Sequence, residues 1–248
     1  MLDSHCHLDR YPDAQGVAQS AAQRGVFTVA VTNLPSHFRA GLPHVRRLPR
    51  VRLALGLHPL ASAEHAAELA DFETSFSATS FIGEVGLDYS KEGRDSKQRQ
   101  LESFRIVARL AGASAKVVSL HSRGAEEDVL GLLQEFGVTG AIFHWYSGSL
   151  KTLDEIVAAG HSLSINPAMT RSPKGRDIIA RVPRTQILSE TDGPFVQVNG
   201  MPAMPWHVEL VERYLEREWQ VDTGSARAQL WENFTNVVGR VTTHASSM

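Results

Sequence analysis

The sequence holds a single cysteine, Cys6, so no disulfide can form within the chain, and this usage fits a reducing compartment. No apolar run reaches the roughly 18 residues that a membrane helix requires. The start, Met1-Leu2-Asp3-Ser4-His5, has neither the basic segment nor the apolar stretch of a secretory signal. A cytoplasmic location with no membrane contact is therefore expected. Charge of one sign is also missing: 25 basic against 27 acidic residues leave a formal net charge of −2. That excludes a broadly basic surface, so any nucleic acid must be met by local positive charge such as bound metal. The 19 glycines and 11 prolines are too few for a low-complexity chain. No GxGxxG follows the first strand, which speaks against dinucleotide binding. No internal repeat, linker or boundary is visible, so residues 1–248 are expected to form one barrel domain.

What is present is an alternation. Short β-branched or apolar runs at 2–7, 26–31, 51–55, 81–85, 116–120, 138–143, 162–165 and 185–188 read as strands. Between and after them lie segments of helical period at 14–24, 36–48, 61–76, 95–111, 125–136, 150–159, 174–181, 206–218 and 225–238. Ser62 and Asp95 are candidate N-caps, and Gly25, Gly137 and Gly160 are candidate stops. Residues after Thr242 read as a frayed tail. Runs such as Val26-Phe27-Thr28-Val29-Ala30-Val31 lack alternation, as strands buried on both faces do. The crossovers are too long for hairpins, so the sheet is expected to be parallel. Eight such units predict an α/β fold, a closed (β/α)8 TIM barrel.

Eleven histidines are many for 248 residues, and several stand just after an apolar run. His5 and His7 end strand one, His58 follows strand three, Glu84 and Asp88 end strand four, His121 and Arg123 follow strand five, and His144 follows strand six. Glu190 and Asp192 follow strand eight. In a barrel these ends converge on one face, the catalytic one. Residues i and i+2 of a strand point the same way, so His5 and His7 can reach one cation while Cys6 packs on the other side. Each feature alone also reads as structure: a histidine pair on a strand, a satisfied core histidine, a carboxylate in an ion pair. Together they would leave many buried polar groups without partners unless a cation gathers them. Imidazole and carboxylate donors suit zinc, manganese or iron, and magnesium less readily. His37, His44, His65, His161, His207 and His244 fall in helices, at the far strand end or in the tail, and are read as structural.

Six motifs occur in order: Asp3-Ser4-His5-Cys6-His7-Leu8, Gly56-Leu57-His58-Pro59, Gly83-Glu84-Val85-Gly86-Leu87-Asp88-Tyr89, His121-Ser122-Arg123, His144-Trp145-Tyr146-Ser147-Gly148 and Glu190-Thr191-Asp192-Gly193-Pro194. Together, across residues 2–240, they resemble the TatD-like metal-dependent deoxyribonucleases. The resemblance implies a barrel of the metal-dependent hydrolase type, two divalent ions, magnesium, manganese or zinc, and a DNA substrate. It implies that His5, His7, Glu84 and Asp192 hold one ion, and that Glu84, His121 and His144 hold the other, with Glu84 bridging. His58 and Arg123 would contact substrate phosphate. Asp192, with Glu84, would be catalytic, Asp192 as the base or orienter of the attacking water. Trp145 and Tyr146 read equally as loop packing or as platforms for a base. The forms of residues 144–148 and 191–195, with Ser164-Ile165-Asn166-Pro167-Ala168-Met169, are similar to the TatD-like nuclease subunit of the Qat anti-phage defence system. That narrower resemblance implies protein partners in a defence complex.

Two rival readings use the same residues. One is an amidohydrolase that cuts a small-molecule C–N or ester bond. Many such sites bridge their metals with a carboxylated lysine, whereas Glu84 stands here and Lys116 starts its strand at the wrong end. The other is a non-catalytic scaffold within a defence complex, which the full set of ligand residues disfavours.

Overall fold

A computed structural model describes residues 1–245, with side chains through residue 240. Nine short parallel strands build the barrel: β1 Leu2–Cys6, β2 Phe27–Ala30, β3 Val51–Leu53, β4 Leu55–Leu57, β5 Phe81–Gly86, β6 Val117–His121, β7 Ile142–His144, β8 Ser162–Ile165 and β9 Ile187–Ser189. The order is β1-β2-β3 on one side and β4 through β9, in sequence, on the other. β3 and β4 are the expected third strand, broken at Ala54, whose N–H donates to Ala30 at 2.8 Å. Counted as one, they give the eight strands of a TIM barrel. The wall closes between β9 and β1. There the Ser189 hydroxyl donates to the Leu2 carbonyl at 2.7 Å. Beyond the strands, Asp192 N–H donates to His5 at 3.0 Å and His7 N–H to Gly193 at 2.9 Å.

Helices layer the outside: α1 Ala14–Gln23, α2 Pro35–Val45, α3 His65–Ser75, α4 Lys97–Ala113, α5 Glu126–Glu135, α6 Leu150–Ala158, α7 Pro167–Arg171, α8 Pro173–Arg181, α9 Val208–Trp219 and α10 Ser225–Ala245. Local chemistry sets their ends. Asp13 accepts from Gly16 N–H, and Ser149 from Thr152 N–H, as N-caps do. Gly25, Gly137 and Gly160 sit at φ 76°, 67° and 78°, a left-handed conformation that stops α1, α5 and α6. Buried apolar side chains such as Phe72, Phe104, Val129 and Leu153 pack the helices on the sheet. Leu2, Phe81, Val117, Ile142 and Leu188 form a separate floor against Phe234 and Val237 of α10.

Several local expectations are corrected. Val138 is not strand: its N–H closes the end of α5 on Leu133 at 2.8 Å, and the strand starts at Ile142. Ser62 ends a 3-10 turn, Pro59–Ala61, rather than capping α3, which begins at His65. Asp95 lies within a 3-10 turn, Arg94–Ser96, that precedes α4 and does not cap it. α7 was not expected. Neither was the hairpin of β10, Gln197–Val198, and β11, Met201–Pro202, whose Asn199-Gly200 turn carries φ 53° and 76°. α10 continues to Ala245 where a tail was expected after Thr242; residues 246–248 of that tail lie outside the described residues. No helix among the described residues is long and apolar enough to cross a membrane.

Candidate metal centre

The strand ends place four imidazoles, of His7, His58, His121 and His144, and three carboxylates, of Glu84, Asp88 and Asp192, around one cavity of about 780 Å³ at the mouth of the barrel. His5, at the end of β1, is fully buried. Its Nδ1 lies 2.8 Å from the Ser119 hydroxyl, which leaves Nε2 facing the centre. His7 Nε2 is 3.4 Å from His5 Nε2. Glu84 Oε2 stands 3.6 Å from His5 and 3.2 Å from His7. Asp192 Oδ1 stands 3.7 Å and 3.5 Å from the same two nitrogens. A tetrahedral ion with ligand bonds of about 2.0–2.2 Å separates its donors by about 3.4 Å. The five separations above, 3.2 to 3.7 Å, are close to that spacing.

The other oxygen of Glu84 serves different residues. Glu84 Oε1 is 2.7 Å from His121 Nδ1 and 2.8 Å from His144 Nε2. One carboxylate thus faces the first ligand set through Oε2 and the second through Oε1. The His144 ring lies flat on His5, with centroids 3.9 Å apart. His58 is drawn in closer than a phosphate contact requires, with Nε2 3.4 Å from Glu84 Oε2. Its Nδ1 accepts from Leu60 N–H at 3.1 Å, so a neutral His58 carries its proton on Nε2, aimed inward. Arg123 is exposed on the cavity rim.

The electrostatics follow from this crowding. Burial alone would raise the Glu84 carboxyl, but the charges of His58 and His144, with hydrogen bonds from His121 and His144, hold it well below the usual range. Burial, with Glu84 and Glu190 nearby, pushes Asp192 up to about 7 against the pull of His144 and His7. Burial and His144 push His5 down to about 4, so it is a neutral donor. Burial works against protonating His144, yet Glu84 and Glu190 raise it well above the usual value. The Nδ1 atoms of His7 and His144 are buried without a hydrogen-bond partner among the described residues. Imidazole nitrogens and carboxylates packed this closely are the donor set of a divalent transition ion, and the residues fit one.

The backbone is held in place here too. Asp192 and Trp145 adopt left-handed φ of 48° and 37°, costly for side-chain-bearing residues. Trp145 N–H is tied to Glu190 Oε1 at 3.1 Å. Trp145 and Phe195 stand partly exposed on the cavity rim, and Phe195 meets the edge of His7 at 4.9 Å. Tyr146 is the exception among the predicted platforms. It is buried and its hydroxyl donates to the Ser149 carbonyl at 2.7 Å, so it packs the loop.

The profile of the family described as TatD related DNase matches residues 2–239. The chain belongs to this family. The metal-dependent hydrolase YjjV of Escherichia coli K12 is 29% identical over 226 residues, covering 86% of each chain. Its crystal structure superposes with a TM-score of 0.86 at 26% identity, covering 96% of this chain and 97% of that one. Human deoxyribonuclease TATDN3 is 28% identical over 238 residues, 87% of this chain and 86% of that one. A TatD-family hydrolase of Entamoeba histolytica shares the fold, with a TM-score of 0.82 at 16% identity over 96% and 97% of the two chains. This TatD protein is a metal-dependent hydrolase on the TIM-barrel fold.

Sequence reasoning assigned no task to three buried carboxylates of the TatD site. Asp88 Oδ2 is 2.7 Å from His121 Nε2. Glu190 accepts from the Ser164 hydroxyl and from Asn166 at 3.1 Å, and lies 3.6 Å from His144 Nδ1. Asp3 accepts from Thr191 N–H at 2.9 Å and from its hydroxyl at 2.6 Å, fixing the segment that carries Asp192. The signal was present: Asp88 and Glu190 sit inside the quoted strand-end motifs.

Proposed function

We propose that this TatD-family hydrolase is a nuclease that cuts DNA phosphodiester bonds with two divalent ions. The observation that carries the reading is Glu84, one carboxylate with a separate imidazole set on each oxygen. His5, His7, Glu84 and Asp192 would hold one ion, and Glu84, His121 and His144 the other. Magnesium, manganese or zinc bound there would acidify a water and neutralise the phosphate. Asp192, beside that ion, would orient the attacking water and take its proton. His58 Nε2–H and the Arg123 guanidinium donate to phosphoryl oxygens, where charge grows during the reaction. Trp145 and Phe195 offer aromatic faces to a base beside the cut. The name of human TATDN3, a deoxyribonuclease, supports the same substrate class.

A small-molecule amidohydrolase bridged by a carboxylated lysine finds no support in this site. Lys116 lies at the start of β6, with its ammonium on the Thr79 carbonyl at 2.7 Å. The reading extends to service with protein partners in anti-phage defence, on the resemblance of residues 144–148 and 191–195.

The test is digestion of end-labelled DNA by metal-stripped protein, with defined ions added back and Asp192→Asn as control. Cleavage that stops on stripping and returns with manganese or magnesium, at two bound ions per chain, supports the reading. Full cleavage by stripped protein refutes it. Plaque counts in cells carrying the Asp192→Asn gene test the defence role; unchanged protection would remove catalysis from it.

A further inference from the structure

Both ring nitrogens of His121 lie within hydrogen-bond distance of a carboxylate. Nδ1 is 2.7 Å from Glu84 Oε1, and Nε2 is 2.7 Å from Asp88 Oδ2. Asp88 is fully buried and held from three directions. Its Oδ1 accepts from Ser90 N–H at 2.8 Å. Its backbone N–H donates to Gln100 Oε1 at 2.8 Å, and its carbonyl accepts from Gln100 Nε2 at 3.0 Å. Gln100, itself buried on α4, also donates to the Gly93 carbonyl at 2.8 Å. Gly86 lets β5 approach closely enough for this, since a Cβ there would lie 2.0 Å from the His121 carbonyl. The turn after β5 is thus pinned by a helix, and only Asp88 Oδ2 is left for His121.

We infer that Asp88 is a positioning residue that keeps the His121 proton on Nε2 and presents the Nδ1 lone pair to the second ion, with Gln100 holding Asp88 in place. A neutral imidazole has one N–H, and the partner that accepts it decides which nitrogen is free to bind a cation. A carboxylate in that place also makes the ligating nitrogen a stronger donor. The inference rests on the two-ion reading above and assigns a task to a residue that reading leaves unused.

The experiment is a manganese titration of metal-stripped protein, followed by electron paramagnetic resonance, on the wild type, Asp88→Asn and Asp88→Ala. Nitrogen NMR of the histidine rings in the zinc-loaded proteins reads which ring nitrogen holds the ion and which the proton. The expected result is two ions in the wild type and one of them weakened about 10- to 100-fold in Asp88→Ala. Asp88→Asn, which keeps the shape and an acceptor oxygen but not the charge, falls between the two. Loaded with zinc, His121 carries its proton on Nε2 in the wild type and divides it between the two nitrogens in Asp88→Ala. Gln100→Leu moves both readouts the same way by a smaller factor. The assignment is overturned if Asp88→Asn and Asp88→Ala bind both ions as the wild type does, or if the tautomer is unchanged without the carboxylate. A wild type that takes up one ion overturns the two-ion reading instead, and the tautomer still decides the task of Asp88.

Discussion

At the floor of the barrel, Leu2, Phe81, Ile142 and Leu188 pack against Phe234 of α10. A few residues further along the same segments, at the mouth, stand His5, Glu84, His144 and Asp192, equally buried. The two ends are built from one set of strands but from opposite chemistry. The floor gains from removing apolar surface from water, about 1.5–3 kcal/mol for each fully buried large side chain. The mouth loses by desolvating charge, and recovers part of the loss through paired imidazoles and carboxylates. The left-handed backbone at Trp145 and Asp192 also lies at the mouth. Stability is therefore supplied at one end, and the other end is shaped for a cation and a substrate.

The largest effect that would break this contrast is at the mouth. Glu84→Ala removes the carboxylate shared by both ligand sets, and phosphodiester turnover should fall by about a thousandfold or more. Manganese uptake, followed alongside, should be lost while the thermal midpoint is kept. Near-normal turnover would remove Glu84 from the centre. Next comes the floor. Phe234→Ala should cost about 3–5 kcal/mol of stability, read by urea unfolding, through the cavity left under the strands. Turnover per folded molecule at low temperature should hold. A floor variant that costs turnover but not stability would erase the distinction.

The smallest effect sharpens the contrast through pH. In metal-stripped protein Asp192, raised by burial to about 7 from an ordinary 3.8, binds more proton folded than unfolded. Stability from this group falls as pH rises between those values. His161, at the floor end of β8, is lowered by burial, and by Arg240, to about 4 from 6.5. Its Nδ1 accepts from Ala141 N–H at 3.2 Å, which needs the neutral ring. Stability from His161 therefore falls as pH drops from 6.5 toward 4, by at most about 3 kcal/mol. Asp192→Asn should make the stability of stripped protein rise more steeply with pH over this window, and His161→Gln should flatten it. Unfolding midpoints at several pH values measure both, and slopes that move together would mean the two ends are not independent.

Much of the barrel was legible because its signals are local. Val29 lies in a run of six residues, 26–31, whose one polar member is Thr28, and Gly25, Gly137 and Gly160 each follow a helical segment as a stop. The imidazoles and acids gathered at the mouth were legible because strand ends converge in this fold. Ser62 and Asp95 misled because a 3-10 turn, set by the chain around each, took the place a cap would hold. The hairpin at residues 197–202 was missed although Asn199-Gly200 is a strong turn signal, because its strands have two residues each. Tyr146 and Trp145 are neighbours with the same aromatic character, yet one faces the loop core and the other the cavity.

By itself the sequence determined the alternation of strand and helix, the helix stops and the imidazoles and acids at the strand ends, since periodicity and residue type act over a few neighbouring positions. Only the tertiary structure decided that Glu84 turns one oxygen to His5 and His7 and the other to His121 and His144. It alone decided that Asp88 backs His121, that Glu190 ties down Trp145, and that Tyr146 faces away. The physical reason is that the partner of a carboxylate or an aromatic ring is whatever distant segment the closed barrel brings within a few ångströms, and no local pattern encodes that meeting.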